Sequence, residues 1–377
     1  MAVTLYFVAG EASGDTHGAA LMRALREAQP DLVFRGRGGP HMSAIAGGSF
    51  KNWTDAAAIV GLWEVIKRYG FFRREFFAAI HDVTANRPDA IVLIDYPGFN
   101  LRLARALRKR FPRLKIIYYV SPQVWAWNRA RIPRMARYLD LMLCIFPFEA
   151  PLYNESGLRT IFVGHPMMEN LAERRVDLPR DQNLVGLFPG SRLREVRKIL
   201  PVMIQAGREI AVHRPLVRFQ IAAASPKLAE EIGDLLRKSR MDVTTFGIIT
   251  DASAETMQSV AVGIIASGTA TLEAAYFRCP FVLVYKVSWL TYFAARLVVK
   301  IKHLGMPNVL AGKEIVREFI QAKARPGDIA AAVLNLMNDT AARSVMIGEF
   351  DAIIDKLGRS DASITASRAI LQEIGAS

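Results

Sequence analysis

The stretch "AIVLIDYPGFNLRLARALRKRFPRLKIIYYVSP", from Ala90 to Pro122, contains two apolar runs separated by an amphipathic segment. The runs "AIVLIDYP" and "KIIYYVSP" are short, continuous and rich in β-branched and aromatic residues, which predicts two buried strands. The segment between them, "FNLRLARALRKRF", is predicted to form a helix. Strand, helix and strand in this order favour a parallel sheet covered by helices on both faces.

The same alternation extends in both directions from this stretch. "VTLYFVAG" is predicted as a strand before a helix at 15–28, and "DLMLCIF" as a later strand. A linker with Pro166 and Pro179 follows. A second series then begins with "LVGLFPGSR" and continues through "VRFQIAAAS", "VTTFGI", "VAVGIIASGT" and "PFVLVYKV". At 377 residues the chain is therefore expected to form two doubly wound α/β domains, with a ligand cleft at the carboxyl ends of the strands.

The composition is that of a globular protein, with 51% hydrophobic and 22% charged residues and a net charge of +14. A charge this positive favours anionic partners, namely nucleic acid, acidic lipid headgroups or phosphorylated substrates, although it can also serve solubility alone. No apolar run reaches membrane-spanning length, and the start "MAVTLYFVAG" lacks a basic region typical of a signal peptide. Cys144 and Cys279 suggest no disulfide framework, which favours a reducing cytoplasm.

Glycine-containing turns follow three of the predicted strands. In "VAGEASGD", Gly10, Gly14 and Gly18 permit close backbone approach, and the helix start favours an anion. The alternative there is a tight turn in which Ser13 or Asp15 caps the helix. In the second half, "LFPGSRLREV" and "IIASGTATLEAA" carry the residues expected to bind a diphosphate and a ribose: Gly190, Ser191, Arg192, Ser267, Gly268, Thr269 and Glu273. Capping by Ser267 or Thr269 is the alternative for the last turn.

Asp95 ends a buried strand, where a carboxylate must be paired, exposed to a cleft or used as a base. Desolvation would raise its pKa and suit it to taking a proton from a hydroxyl; capping of a helix near Phe99 is the alternative. In "VSPQVWAWNRARIPRMARYLD", Trp127 and Arg129 are candidates to hold a phosphate or sugar. For the later arginines of this stretch, an ordinary solvated basic helix is the favoured interpretation.

No metal site is predicted, because the six histidines show no H-x-x-x-H spacing and no C-x-x-C pair is present. The chain also lacks a P-loop. Asn308, in "MPNVLAG", is expected in an ordered loop of the cleft.

The segment "IVGLWEVIKRYGFFRREFF", Ile59 to Phe77, mixes aromatic and basic residues. On a helical wheel, Tyr69, Phe72 and Phe77 share one apolar face, whereas Trp63 and Phe71 lie among the charges. The apolar face could be core, but a core would not account for Trp63 and Phe71.

Taken together, the motifs closely resemble those of lipid-A-disaccharide synthases. The resemblance rests on "VAGEASGD", "IDYPGFN", "YVSPQVWAWNRARI", "FVGHPM", "LFPGSR", "ASGTATLEAA" and "PNVLAG", in family order across residues 8–312. The family often has Gly-Ser-Gly-Thr where this chain has Ala266-Ser267-Gly268-Thr269.

The resemblance implies a GT-B fold, with two Rossmann-like domains facing across a cleft. Residues 1–165 would form the acceptor-binding and membrane-docking domain, joined by C-terminal helices at 345–377, and 166–344 the UDP-sugar domain. The implied reaction is an inverting condensation of UDP-2,3-diacylglucosamine with 2,3-diacylglucosamine 1-phosphate (lipid X) to a β-1,6 disaccharide 1-phosphate and UDP, without a metal or other cofactor.

Within that reaction, Asp95 would be the base, with Glu11 or His17 as alternatives. The expected catalytic residues are Asp95, Glu11 and Ser13. UDP would be held by the turns at 190–192 and 267–269 together with Glu273 and Asn308, and the acceptor or its phosphate by Gly14, Trp127 and Arg129.

The family also implies a peripheral protein on the cytoplasmic face of the inner membrane, bound to anionic lipids, and a homodimer through the C-terminal helices. The residues expected to meet the membrane or acyl chains are Trp63, Val65, Ile66, Tyr69, Phe71 and Phe72. Two alternatives remain: another GT-B enzyme acting on UDP-N-acetylglucosamine (a 2-epimerase or the peptidoglycan glycosyltransferase), and a basic nucleic-acid-binding protein, for which no motif is present.

Overall fold

The structure, a computed structural model, describes residues 2–48, 50–54, 69–176, 178–239, 245–289, 292, 302–358 and 361–376. The chain divides into two compact units. The first comprises Met1–Pro166 and Leu357–Ser377, and the second comprises Met167–Lys356. Each unit contains one parallel sheet with helices around it.

The described part of the first unit holds a seven-stranded sheet in the order β3-β2-β1-β4-β5-β6-β7. Its strands are β1 (Thr4–Ala9), β2 (Val33–Gly38), β3 (Phe50–Asn52), β4 (Ala90–Ile94), β5 (Lys115–Tyr119), β6 (Leu141–Cys144) and β7 (Thr160–Phe162). Its helices are α1 (Ala12–Ala28), α2 (Pro40–Ala46), α3 (Tyr69–Asn86), α4 (Pro97–Arg110), α5 (Val124–Trp127), α6 (Ile132–Met135) and α7 (Glu149–Asn154), with a 3₁₀ turn at Arg129–Arg131.

The described part of the second unit holds a six-stranded sheet in the order β10-β9-β8-β11-β12-β13. Its strands are β8 (Asp181–Phe188), β9 (Arg218–Ala223), β10 (Phe246–Thr250), β11 (Val260–Ala266), β12 (Phe281–Tyr285) and β13 (Glu318–Ile320). Its helices are α8 (Met167–Glu173), α9 (Leu193–His213), α10 (Pro226–Lys238), α11 (Ser253–Ser259), α12 (Ala270–Tyr276), α13 (Met306–Ala311), α14 (Pro326–Asn338) and α15 (Thr340–Leu357). The last helix, α16 (Ala362–Glu373), belongs to the first unit.

The strand–helix–strand unit predicted at 90–122 is confirmed. Every residue of β4 is buried, as expected for a central strand covered on both faces. In α4, Leu103 and Leu107 are buried, whereas Arg102 and Arg105 point to solvent. Leucines at helical spacing therefore fix the helix against the sheet and leave a basic outer face.

The C-terminal helices divide between the units later than expected, at 357 and not at 345. α15 stays with the second unit because the Phe350 ring stacks on Phe281 at 5.6 Å and Asp351 pairs with Arg278. In α16, the Glu373 carboxylate instead accepts hydrogen bonds from Lys115 and Arg159 of the first unit.

Each sheet has one point at which the strand order reverses. In the first unit, β1 lies between β2 and β4; in the second, β8 lies between β9 and β11. The turns that follow β1 and β4, or β8 and β11, diverge there and leave a crevice at the carboxyl edge of each sheet. Four of the sequence motifs, "VAGEASGD", "IDYPGFN", "LFPGSR" and "ASGTATLEAA", follow these four strands.

The helices differ from membrane-spanning helices in length or hydropathy. None in the described ranges is both long enough and apolar enough to cross a bilayer.

Candidate active site

Asp95 lies at the reversal point of the first unit, beside the turn that follows β1. Ala9 and Ile94 are partners in the β1–β4 ladder, so Gly10 and Asp95 come directly after neighbouring strand ends. The Tyr96 ring covers Gly10 so closely that a Cβ there would lie 2.4 Å from the ring. Only glycine therefore permits this approach of the two turns.

The backbone at Asp95 is held in an uncommon conformation. Asp95 and Tyr96 have φ values of 45° and 50°, a left-handed region that costs non-glycine residues free energy. The Asp95 carbonyl accepts hydrogen bonds from the Tyr118 hydroxyl (2.5 Å) and the Asn100 amide (2.8 Å), and its N–H donates to the Tyr119 carbonyl (2.9 Å). These contacts fix the main chain, while no described side chain donates a hydrogen bond to the Asp95 carboxylate.

Burial raises the pKa of Asp95 to about 6, and the nearby negative charge of Glu11 adds to the rise. A carboxylate with this pKa is ionised at neutral pH and is a stronger proton acceptor than an ordinary aspartate. Asp95 does not cap the helix that follows, since the N-cap of α4 is Tyr96.

The start of α1 places Glu11 and Ser13 at the same crevice. Glu11 is the N-cap residue, but its side chain makes no capping hydrogen bond, and both side chains are exposed. Gly14 is buried against β1 and β4. Burial lowers the pKa of His17 to about 4, so its imidazole is neutral at physiological pH.

The alternative in which Asp15 caps its own helix is wrong. The Asp15 carboxylate instead accepts hydrogen bonds from the backbone N–H groups of Gly39 (2.8 Å), His41 (3.0 Å) and Met42 (3.0 Å). It therefore satisfies the free donors at the start of α2 and joins α1 to that helix.

The "SPQVWAW" stretch is anchored by Glu149, a residue that the sequence reasoning missed. This buried carboxylate accepts hydrogen bonds from the Ser121 hydroxyl (2.6 Å), the Trp125 indole (2.8 Å) and the Phe146 N–H (3.2 Å). Burial raises the pKa of Glu149 to about 7. A buried carboxylate is costly and therefore needs hydrogen-bond partners, but nothing in the sequence near residue 149 indicates which groups Glu149 would contact.

Trp127 and Arg129 follow this anchored stretch and lie at the surface. Trp127 is 36% exposed, and the Arg131 guanidinium lies over its ring at 4.6 Å. The Arg129 guanidinium donates to the Trp125 carbonyl at 3.3 Å. Both side chains remain open to a ligand from solvent.

Seven of the eight residues selected for UDP-sugar binding line one pocket of the second unit. The pocket has a volume of about 370 Å³, and its lining includes Gly190, Ser191, Arg192, Ser267, Gly268, Thr269 and Glu273. These residues come from the turns after β8 and β11 and from α12. The reversal of strand order therefore brings together two motifs that are about 75 residues apart in the sequence.

The turn at Gly190 requires glycine. Its φ is +106°, and a Cβ would lie 2.8 Å from a carboxylate oxygen of Glu195. Arg192 is exposed and forms an ion pair with Glu195 at 3.1 Å. Exposed pairs of this kind contribute little free energy, so a stronger anion can displace Glu195.

The polar groups opposite this turn are available to a ligand. Capping by Ser267 or Thr269 is not observed: among the described residues, neither hydroxyl forms a hydrogen bond, and Thr269 is an N-cap without a side-chain contact. Burial raises the pKa of Glu273, although the Arg174 charge opposes the rise. Over the same described ranges, no group of three His, Cys, Asp or Glu side chains could hold a metal ion.

Asn308 does not line this pocket. It is fully buried in α13, where its carbonyl oxygen accepts from the N–H groups of Ile315 and Val316, and its amide donates to Val316 and Glu318. The expected cleft loop is thus a helix and turn that Asn308 holds in place.

Of the expected membrane-facing residues, Trp63, Val65 and Ile66 lie outside the described residues. Tyr69 is 67% exposed at the start of α3. Phe71 and Phe72 are half-buried, with Phe71 stacked on Trp53 at 6.3 Å and Phe72 beside Tyr96. Phe77, which shares the apolar face of the wheel, is 55% exposed. Phe71, which the wheel places among the charges, has the Arg74 guanidinium over one side of its ring and also packs on Trp53, a residue outside the helix.

Solved structures with this architecture include sugar-nucleotide enzymes. MnaA from S. aureus in complex with UDP matches at a TM-score of 0.64 and 10% identity, covering 100% of this chain and 98% of that one. The UDP-GlcNAc 2-epimerase of Neisseria meningitidis matches at 0.55 and 11%, with complete coverage of both chains. The calicheamicin glycosyltransferase CalG4 matches at 0.55 and 13%, covering 99% and 98%. At these identities the likeness shows the fold alone, which is GT-B, as predicted.

The sequence relationships are much closer. The family model described as lipid-A-disaccharide synthetase matches residues 5–368. The lipid-A-disaccharide synthase of Geobacter sulfurreducens is 36% identical over 98% of this chain and 97% of its own length. That of Pseudomonas aeruginosa is 38% identical, with 97% and 96% coverage. The chain therefore belongs to the lipid-A-disaccharide synthetase family.

Proposed function

We propose that this chain is the inverting glycosyltransferase that joins UDP-2,3-diacylglucosamine to lipid X, giving the β-1,6-linked disaccharide 1-phosphate and UDP. The observation that carries the proposal is the family match over residues 5–368. The 2-epimerase alternative is not favoured, because the epimerase structure shares 11% identity whereas the synthases share 34–38%.

The donor is assigned to the pocket of the second unit. Backbone N–H groups at the Gly190 turn and the start of α9, together with the Arg192 guanidinium, would neutralise the diphosphate. The free hydroxyls of Ser267 and Thr269 supply further donors. The Glu273 carboxylate would accept hydrogen bonds from the ribose hydroxyls. We assign Asn308 an indirect role, since its amide holds the 304–318 turn and does not reach the pocket.

The base is assigned to Asp95. Its carboxylate would take the proton of the acceptor 6-hydroxyl as that oxygen forms a bond to the donor C1. The bond between C1 and the diphosphate breaks in the same displacement, and UDP leaves with the bonding electron pair. The raised pKa of Asp95 and its freedom from side-chain hydrogen bonds support this role.

Neighbouring groups of the first unit would serve the acceptor. Glu11 raises the proton affinity of Asp95 through its charge and is the alternative base. Ser13 and the backbone at Gly14 would contact the acceptor or the transferring sugar. Trp127 and Arg129, both exposed, would contact the acceptor or its phosphate.

Both substrates carry acyl chains, so the enzyme is proposed to work at the cytoplasmic face of the inner membrane, bound to anionic lipids. The exposed Tyr69 and the neighbouring arginines of α3 support contact with a bilayer surface. Trp63 and Ile66, which are also expected to meet the membrane, lie outside the described ranges. Replacing both, Trp63→Ser with Ile66→Ser, should weaken vesicle binding.

A homodimer through the C-terminal helices is proposed as well. α16 packs on α1 within its own chain, and the same contact would form if two copies exchanged this helix. Light scattering of the purified protein distinguishes a dimer of about twice 41.9 kDa from a monomer.

The direct test is to incubate the purified protein with both acylated sugars in detergent micelles and to follow the disaccharide 1-phosphate and UDP by mass spectrometry. Formation of both products in equal amounts is expected. Absence of product from folded wild-type protein that binds UDP would overturn the proposed reaction.

A further inference from the structure

A basic groove lies on the first unit; its lining begins at Pro97, does not include Asp95 and shares no residue with the donor pocket. It has a volume of about 560 Å³. One wall is the outer face of α4 and the other is the stretch from Arg131 to Tyr138. Its basic lining residues are Arg102, Arg105, Arg108, Lys109, Arg131, Arg134 and Arg137. We refer to these residues and the space between them as the basic groove.

The positive charge of the basic groove is almost uncompensated. No carboxylate is among its lining residues. Within the part of the chain that the structure describes, only Arg108 of the seven forms an ion pair, with Asp140. Like charges that line one groove repel one another, so an anion bound from solution would relieve the repulsion.

Three of the guanidinium groups act electrostatically on one side chain that lines the groove. Tyr138 lies in the groove, and the positive charges of Arg131, Arg105 and Arg134 all act on its hydroxyl. These three arginines come from both walls. A phosphate bound near Tyr138 would therefore be attracted by positive charge from both walls of the groove.

Exposed aromatic side chains lie on the segments next to those that form the basic groove. At one end, Arg131 covers the exposed Trp127 ring. On the other side of α4 lies α3, which packs on it through the Phe76–Phe99 contact at 5.9 Å. α3 exposes Tyr69 and Phe77 next to Arg73. Aromatic rings interleaved with arginines are typical of surfaces that lie in the headgroup region of a bilayer.

We propose that the basic groove binds the phosphate headgroups of anionic phospholipids and so docks the first unit on an acidic bilayer. The inference rests on the proposed function, which requires acylated substrates to reach Asp95 from a membrane. It replaces the interpretation of Arg131, Arg134 and Arg137 as an ordinary solvated helix. A lipid surface suits the groove better than nucleic acid does, because Tyr138 is the one aromatic residue among its described lining residues, and successive bases would need a row of rings to stack on.

The test compares binding to phosphatidylcholine vesicles with and without about 30% phosphatidylglycerol. The variant is Arg105→Gln with Arg134→Gln, two exposed side chains without hydrogen bonds to described residues. The matched control is Arg23→Gln with Arg368→Gln, which removes the same charge from exposed sites of the same unit. Each arginine near an acidic surface is worth roughly a fivefold change in partitioning. The groove variant should therefore bind acidic vesicles about 25-fold more weakly than wild type, and the control less than a few-fold more weakly.

The readout is vesicle co-sedimentation without turnover, so it does not depend on the proposed reaction. If a thermal melt shows the groove variant to be unfolded, the salt dependence of wild-type binding decides: acidic-vesicle binding must fall steeply with added salt. Equal losses in variant and control, or equal wild-type binding to neutral and acidic vesicles, would overturn the proposal. So would tighter binding of a single-stranded oligonucleotide than of acidic vesicles. A raised KM for the acceptor in neutral detergent, with vesicle binding intact, would instead assign the groove to the acceptor phosphate and overturn lipid docking.

Discussion

At the scale of single residues, Asp95 combines a fixed backbone with a carboxylate that the protein does not neutralise. Its carbonyl and N–H are bound by Tyr118, Asn100 and Tyr119. Burial and the charge of Glu11 both favour its protonated form. The folded protein thus keeps a carboxylate ionised at neutral pH at a cost in stability, as expected of a base at a functional site.

Replacement of Asp95 by Asn should therefore separate activity from stability. We expect kcat to fall by roughly 10²- to 10⁴-fold, because the acceptor hydroxyl loses its proton acceptor. At pH 8 the variant should be more stable to thermal unfolding, on the order of 2 kcal/mol, because the raised pKa of Asp95 makes its ionised form destabilising above about pH 6. Below about pH 3, where the carboxyl is protonated in both the folded and the unfolded state, the difference should vanish. Asp31→Asn, at an exposed site, is the control; near-normal turnover of Asp95→Asn would remove Asp95 as the base.

The same pKa gives a signature in the wild-type enzyme. Protonation of Asp95 below about pH 6 should make kcat/KM fall tenfold for each pH unit. A pH–rate profile in the micelle assay measures this directly. A rate that stays level down to pH 5 would contradict general-base catalysis by this carboxylate.

In the donor pocket, Arg192→Ala should weaken UDP binding about 10- to 100-fold, as expected for loss of charge-assisted hydrogen bonds to a diphosphate. Calorimetric titration with UDP alone gives the affinity. Lys198→Ala, on the exposed face of the same helix, serves as the control. Equal affinities for wild type and Arg192→Ala would place the diphosphate elsewhere.

At the scale of elements, the glycine turn after β8 sets the residue at which α9 begins. The turn after β8 requires the positive φ of Gly190 so that α9 starts beside the pocket. The sequence predicted this turn, because a glycine between a buried strand and a helix is typical of turns that bind anions, and the diphosphate as its ligand stays a prediction. It could not predict that Asp15 caps α2 or that Glu149 anchors Trp125, since both contacts join segments far apart in the chain.

Gly190→Ala should consequently destabilise the protein by about 1–3 kcal/mol, because it forces a left-handed alanine against Glu195. UDP affinity should fall with it. Gly348→Ala is the matched control: Gly348 lies exposed in α15 with open space around it, so alanine there should stabilise the helix slightly. Denaturant unfolding of the two variants should give shifts of opposite sign; a neutral effect at 190 would contradict the assigned constraint.

α3 marks the limit of wheel-based prediction. Which rings of Tyr69 to Phe77 face the core depends on Trp53, a residue outside that helix. The helical repeat alone shows which residues share a face of the helix, but it does not show which face another element covers. For the same reason, the basic outer face of α4 was visible in the sequence, but its opposition to Arg131–Arg137 across a groove was not.

At the scale of the whole molecule, two sheets of the same construction carry different chemistry at equivalent places. The reversal of strand order in the first unit holds the Asp95 carboxylate, which we propose as the base, and that in the second unit holds the pocket that we propose for the donor. The alternation of strands and helices was sufficient to predict this architecture and the turns that would carry function. The division of the C-terminal helices at 357 was not predictable, because it depends on Phe350 and Glu373 finding partners in different units.

The most direct measurement of the central claim offers the enzyme, with lipid X in micelles, either UDP-2,3-diacylglucosamine or UDP-N-acetylglucosamine, and determines products and anomeric configuration by NMR. A β-1,6-linked disaccharide 1-phosphate and equimolar UDP from the acylated donor, with little product from the other, are predicted. An α-linked product, or conversion of UDP-N-acetylglucosamine to its 2-epimer without transfer, would contradict the assignment.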